Sequence, residues 1–342
     1  MNDLWKNNTV FNETVMFAGS RCGKLMFRAS RIIKVENLCT QTVYEAGKDF
    51  IHTPGTAEII LTEFSRIPAF TDDDIHPTGD KVRLRPDPQT NAIDDAVDGG
   101  YLLFTESGWF AENQVDVTYQ AVDIDLDMPP QISKINRFRS SLAAAKKLRI
   151  TLIGDSISVG SNATKFMKKP PFAPSYIERF TAYLQEKYHS EITLNNRAIG
   201  GTGIMMAENI KADYLGDRPD LLVIAYGMND FFRTPVEKFL QTLQQIIDEC
   251  RYVNPDTEYL VVSPMSGNPL WRYTQRGNDL IYADALRKFA ATAHSDTAFA
   301  DVNKVWQLFA ERKGFYSLTG NGVNHPNDYA HRIYASVLQQ LF

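Results

Sequence analysis

Four short stretches in the second half of the chain hold side chains able to carry out acyl-transfer chemistry. "GDSISVGSN" (154–162) presents Ser156 directly after an apolar run, and "NNRAIGGTGI" (195–204) holds paired glycines at 200 and 201. "YGMND" (226–230) carries Asn229, and "GNGVNHPND" (320–328) sets His325 on a Gly/Asn-rich turn before a proline. Hydrolysis of an ester needs a nucleophile, a base for its proton, and donors for the oxyanion that develops on the carbonyl oxygen. A serine hydroxyl, an imidazole, glycine backbone N–H groups and a primary amide supply those parts. Taken singly, each has a plain reading. Ser156 serves as a helix cap, the glycines as a flexible turn, Asn229 as a turn residue and His325 as a structural polar group.

The elements around these stretches change the balance. From Leu148 onward, apolar strands alternate with amphipathic helices. "LRITLI", "EITLNN", "DLLVIAYG", "EYLVVS" and "TAFAD" read as strands, and "SYIERFTAYLQEKY", "VEKFLQTLQQIIDECRYV", "DLIYADALRKFAATAH", "VWQLFAERK" and "NDYAHRIYASVLQQLF" as helices. That alternation predicts an α/β fold with a parallel sheet covered by helices on both faces. Ligands of such sheets bind beyond the carboxyl ends of the strands, where Ser156, Gly201 and Asn229 fall.

Residues before about 140 have a different grammar. "KLMFRASRIIKVENL", "TAEIILTEF", "KVRLRPD", "GGYLLFTESGWF" and "NQVDVTYQAVDIDL" are short β-like runs broken by turn residues, which predicts an all-β jelly roll or sandwich. The expected domains are 1–140 and 141–342, with "LDMPPQISKINRFRSSLAAAKK" as a connector.

Ser, Gly, Asn and His in this order, each at a predicted strand end, resemble the SGNH (GDSL-like) hydrolase family. Its blocks match "GDS", the glycine of "IGGTG", "GMND" and the histidine of "NHPND". The resemblance implies a three-layer, flavodoxin-like fold for 141–342. It implies Ser156 as nucleophile, His325 as base, and an oxyanion hole from the N–H groups of Ser156 and Gly201 and the Asn229 amide. "YEAGKDF", "SRIPAF" and "NQVDVTYQ" look like the β-domain preceding the hydrolase domain in two-domain carbohydrate deacetylases. The family usually carries an aspartate three residues before the histidine, to orient its ring. Here Gly322 occupies that position. A backbone carbonyl of the 320–323 turn is the first expectation for the replacement. Asp328, Asn324 and an acid from elsewhere are the others.

The expected activity is a serine esterase removing short acyl groups, acetyl above all, from a sugar or oligosaccharide. A lysophospholipase or thioesterase and a non-catalytic carbohydrate-binding protein are the alternatives. Asp155, Met228 and Trp271 are the candidates to line the substrate pocket. Asp123, Asp125 and Asp127 of "DIDLDM" lack the glycine of a calcium loop and read as the face of an edge strand, so neither metal nor cofactor is expected. "TDDDIHPTGD", with His76, reads as a solvated acidic loop. A net charge of −5 argues against a nucleic-acid partner. The N-terminal residues lack the grammar of a signal peptide and no apolar run is long enough to span a membrane. Three cysteines without close spacing read as reduced thiols, so a cytoplasmic location is expected.

Overall fold

The computed structural model describes residues 4–77, 91–93, 96–274 and 277–342. Five parallel strands form the sheet of the second half, in the order Ile192–Asn196, Leu148–Gly154, Leu221–Ala225, Glu258–Val262, Thr297–Ala300. Except for Arg149, every residue of Leu148–Gly154 is buried, and Glu258–Val262 is buried throughout. Strands covered on both faces need such nearly continuous runs. The covering helices are those expected from the periodicity: Tyr176–Tyr188, Val236–Val253, Asn278–Thr292, Val302–Lys313 and Asp328–Gln339. Val236–Val253 shows why the pattern was legible, since Phe239, Leu243, Ile246, Ile247 and Cys250 recur along one stripe and are buried.

The strand order makes Leu148–Gly154 the first strand, with the second on one side and the third on the other. Connections therefore leave in opposite directions at the junction between Leu148–Gly154 and Leu221–Ala225. A crevice opens there, and the loops carrying Ser156 and Asn229 flank it.

The preceding region is antiparallel β structure, as the runs of alternating residues predict. A seven-stranded sheet runs Trp5–Lys6, Thr9–Val15, Val115–Ala121, Cys22–Asn37, Thr56–Leu61, Phe50–Ile51, with Thr42–Tyr44 added to Cys22–Asn37. Val115–Ala121 alternates buried and half-buried positions from end to end. Two smaller pairings stand beside it, Asn91–Ile93 with Leu102–Phe104, and Phe17–Ala18 with Ala69–Phe70.

Several expectations need correcting. The stretch expected as connector holds the helix Asn136–Ala143, which buries Phe138 and Leu142. Ahead of it, Ile132 and Phe299 exchange backbone hydrogen bonds at the outer edge of the parallel sheet. In "GGYLLFTESGWF" the strand stops at Phe104, and Trp109–Asn113 is a helix. Asp123 and Asp125 lie beyond the end of Val115–Ala121 rather than on a strand, and they face Arg28 and Arg312 at 3.4 and 2.9 Å. "KVRLRPD" and the last three residues of "TDDDIHPTGD" lie outside the described residues.

The seven-stranded sheet and the helices are joined by a buried ion pair, Glu13 with Lys313, both side chains fully buried. Tyr119 Oη donates to the same carboxylate at 2.7 Å, as does Met26 N at 2.7 Å. A charge pair removed from water needs such additional bonds to be tolerated. No helix among the described residues is long and apolar enough to cross a membrane.

Candidate active site

Ser156 is the first residue of a short helix, Ser156–Val159, that starts where the first parallel strand ends. Its cap is the preceding residue, so Ser156 is free of that duty: Asp155 Oδ1 accepts the Ile157 N–H at 3.0 Å. The turn is tight. A Cβ on Gly154 would come within 2.6 Å of the Ala225 carbonyl oxygen, which accounts for glycine there. His325 arrives from the other end of the chain, and its Nε2 lies 2.8 Å from Ser156 Oγ.

The other ring nitrogen determines what that contact is. His325 Nδ1 lies 2.7 Å from Asn162 Oδ1. The same amide donates through Nδ2 to the Gly320 carbonyl oxygen at 3.1 Å. A carbonyl oxygen only accepts, so Nδ2 must face Gly320 and Oδ1 must face the ring. Nδ1 therefore carries the proton, Nε2 is the bare nitrogen, and the Ser156 hydroxyl donates to it. Asn162 is buried, with its backbone in the left-handed region at φ 63°, a conformation asparagine accepts readily. A second group, Glu106 Oε2, lies 3.3 Å from Nδ1 and comes from the β region. Desolvation, the largest single effect, raises its pKa, but the hydrogen bond and charge of His325 and a hydrogen bond from Asn321 together leave it lowered.

The turn bearing His325 is clamped from three sides. Asn321 Oδ1 accepts the backbone N–H groups of Val323, Asn324 and His325 at 2.9–3.0 Å. From the β region, Gln114 Nε2 donates to the carbonyls of Tyr316 and Thr319, each at 2.8 Å, and Thr105 N donates to Asn321 O at 3.1 Å. From the loop after the fourth strand, Asn268 donates through N to Val323 O at 2.7 Å and through Nδ2 to Gly322 O at 2.8 Å.

Opposite His325 stands the glycine loop. Gly201 is exposed with φ 74°, and a Cβ placed on Gly200 would lie 3.9 Å from Ser156 Cβ. Asn229 Nδ2 donates one hydrogen to Thr202 O at 3.0 Å, tying the two loops together. An amide has a second N–H to offer. The tie is reinforced by Asp230, whose carboxylate oxygens take the Ile204 N–H at 3.0 and 3.1 Å. Burial pushes Asp230 up to about 6 and Asp155 up to about 7, against the backbone hydrogen bonds that lower both.

The structure thus brings His325 to Ser156, with the glycine loop and Asn229 beside them, and places the other expected site residues in other contacts. Gly322 does not orient the histidine through its own carbonyl, which accepts from Asn268, while the Nδ1 proton goes to Asn162. An aspartate has no room there either, since a Cβ would meet the Leu103 carbonyl oxygen at 2.2 Å and Phe110 at 2.8 Å. The expected backbone carbonyl of the turn is replaced by the Asn162 side chain. Asp328 is turned away to Thr164, accepting its N–H at 2.9 Å and its hydroxyl at 2.6 Å. Asn324 takes its hydrogen bond from Asn321. Asp155 is buried, and its carboxylate is engaged in capping the helix Ser156–Val159 through the Ile157 N–H. Met228 is fully buried, and Trp271 is buried against Phe231, Phe232 and Tyr273, with ring centroids 5.2–6.0 Å apart. Sequence reasoning missed Asn162 and Gln114. The signal for Asn162 was its place at the end of the serine loop.

The model of the GDSL-like Lipase/Acylhydrolase family matches residues 152–333. Among solved structures, a protein of Parabacteroides merdae ATCC 43184 described as a GDSL-like lipase is 21% identical. It has a TM-score of 0.49 over 57% of this chain and 95% of its own. Axe2, an acetylxylan esterase from Geobacillus stearothermophilus, is 18% identical, with a TM-score of 0.48 over 58% of this chain and 96% of its own. Among curated proteins, no sequence matches this chain.

Proposed function

Because the chain belongs to the GDSL-like lipase/acylhydrolase family, we propose that it is a serine esterase acting on short acyl esters, acetyl above all, borne by a carbohydrate. The observation that carries the reading is the 2.8 Å contact of Ser156 Oγ with a His325 Nε2 left unprotonated by Asn162. In the first step the hydroxyl proton moves to Nε2 as Oγ bonds to the carbonyl carbon. The oxyanion is met by the N–H groups of Ser156 and Gly201 and the free N–H of the Asn229 amide. Collapse breaks the bond to the alcohol, which takes the proton back from Nε2. Water then enters by the same path in reverse: its proton goes to Nε2, its oxygen to the acyl carbon, and the proton finally returns to Oγ as the acid leaves.

Packing supports a short acyl group. Met228, Phe231 and Trp271, on the loops after the third and fourth strands, are buried, and the two rings pack on each other. None of the three presents an open apolar surface to a long chain. The rim is polar, with Glu106, Asn324, Thr202 and Arg233 around it, which suits a hydroxyl-rich alcohol.

The test is initial rates on acetyl, butyryl and octanoyl esters of one aryl alcohol, and on acetylated and unacetylated oligosaccharides with free acetate measured. Acetyl should be preferred and acetate released from the sugar. A preference for octanoyl would overturn the short-acyl proposal, and no turnover of any ester would overturn the enzyme proposal.

A further inference from the structure

The family's usual aspartate is sterically excluded at Gly322, yet a carboxylate reaches the same imidazole nitrogen from another part of the chain. The geometry points to Glu106 as the acid that stabilises the protonated form of His325, supplied by the β region to a dyad housed in the parallel-sheet region. This inference rests on the esterase reading for its consequence in catalysis, but not for the charge interaction itself.

Two groups share Nδ1, and their chemistry divides the task. Asn162 Oδ1, at 2.7 Å, is the nearer acceptor and is neutral. It fixes the ring's tautomer and tilt, but stabilises a positive ring less than a carboxylate does. Glu106 Oε2, at 3.3 Å, is the group with a full charge. It is held in place rather than merely nearby. Asn321 Nδ2 donates to Glu106 Oε1 at 3.4 Å, and the neighbouring Thr105 N–H donates to Asn321 O at 3.1 Å. Asn321 in turn organises the His325 backbone. The Glu106 side chain is about half exposed, so its field at the ring is screened by water but not abolished.

Other ionisable groups on the packed elements do not fill this role. His331, on the helix that follows the turn, is held neutral: burial lowers its pKa to about 3. Asp328, at the start of that helix, is bonded to Thr164, and Asp155, beside the nucleophile, to backbone N–H groups.

Glu106 acts through His325 and is a positioning residue, not one that touches substrate. Glu106→Gln is the discriminating variant, because its amide oxygen still accepts from Asn321 while the charge is gone. The ring of His325 is titrated by NMR in protein carrying 13C-labelled histidine, assigned by loss of its signal in His325→Gln. Its titration in Glu106→Gln is expected about 0.5–1 pH unit lower than in the parent, the effect of one charge about 3 Å away in a water-like medium. With an aryl acetate, kcat should fall roughly 3–10-fold with KM unchanged and the acidic limb of the rate profile moved by the same amount. Glu106→Asp should recover part of both, and the melting temperature should match the parent's.

An unmoved ring titration would overturn the inference, even if kcat falls. A lowered ring titration in protein that hydrolyses no ester would uphold the Glu106–His325 coupling and count against the esterase reading. Normal turnover with an unmoved titration would do the reverse.

Discussion

Returning the family's aspartate to its usual position should damage this protein rather than improve it. In Gly322→Asp the new Cβ would lie 2.2 Å from the Leu103 carbonyl oxygen and 2.8 Å from Phe110 Cζ. Leu103 belongs to a strand paired with Asn91–Ile93, so its carbonyl cannot simply swing aside. The backbone at Gly322 also has φ 87°, where a side chain costs about 1–2 kcal/mol. Relieving an overpacked contact costs about 1–3 kcal/mol more. Placing a carboxylate against buried surroundings adds roughly another 1–3 kcal/mol unless it finds a partner. We expect a total loss of about 3–8 kcal/mol, a large part of an ordinary stability of about 5–15 kcal/mol. Gly322→Ala keeps the clash and the strain without the charge, and should lose about 2–5 kcal/mol. Urea unfolding of the three proteins measures the losses, and aryl acetate hydrolysis shows whether the aspartate reaches His325. A Gly322→Asp protein as stable as the parent, with raised kcat, would refute the steric argument and the role given to Asn162.

Two further outcomes follow from the same site. Asn162→Gly keeps the left-handed backbone but removes the acceptor of the Nδ1 proton. A hydrogen bond to a charged group contributes about 1.5–3 kcal/mol, so kcat on an aryl acetate should fall about 10–150-fold with little change in KM. A kcat equal to the parent's would mean that Asn162 does not hold the ring. Asp155, raised by burial to about 7, bears on stability against pH. Its carboxyl binds protons more tightly folded than unfolded, so its contribution is complete below about pH 4 and is lost as pH rises towards 7. Asp155→Asn is neutral throughout and should gain on the parent in urea midpoint from pH 4.5 to 7.5. A constant difference across that range would contradict the assignment.

What the sequence disclosed was local. Ser156 and Asn229 were legible because each follows a strand whose apolar run is read directly, Gly201 because it follows the mixed strand Ile192–Asn196, and the carboxyl-end rule then places all three together. Local patterning also delivered the helix Val236–Val253 and the alternation of Val115–Ala121. What holds His325 was not legible, because Asn162 is 163 positions away and Glu106 lies in the other region; no spacing rule connects either to the imidazole. The absence of an aspartate at 322 looked like a missing part. The coordinates give it a steric cause, the Leu103 carbonyl, which only the packing of the β region against the turn reveals. Trp271 misled for a related reason, since a loop position says nothing of which neighbours bury an indole. The helix Asn136–Ala143 lies in the stretch that reads as a connector, because only two of its residues, Phe138 and Leu142, are buried apolar positions.

The central claim is that Ser156 is an activated nucleophile, with its proton accepted by His325. Reaction with a fluorophosphonate, followed by intact mass and peptide mapping, tests it most directly. The account predicts one adduct, on Ser156, formed by the parent, formed far more slowly by His325→Gln and absent from Ser156→Ala. A parent protein that takes up no label, or one labelled equally well without His325, would contradict it.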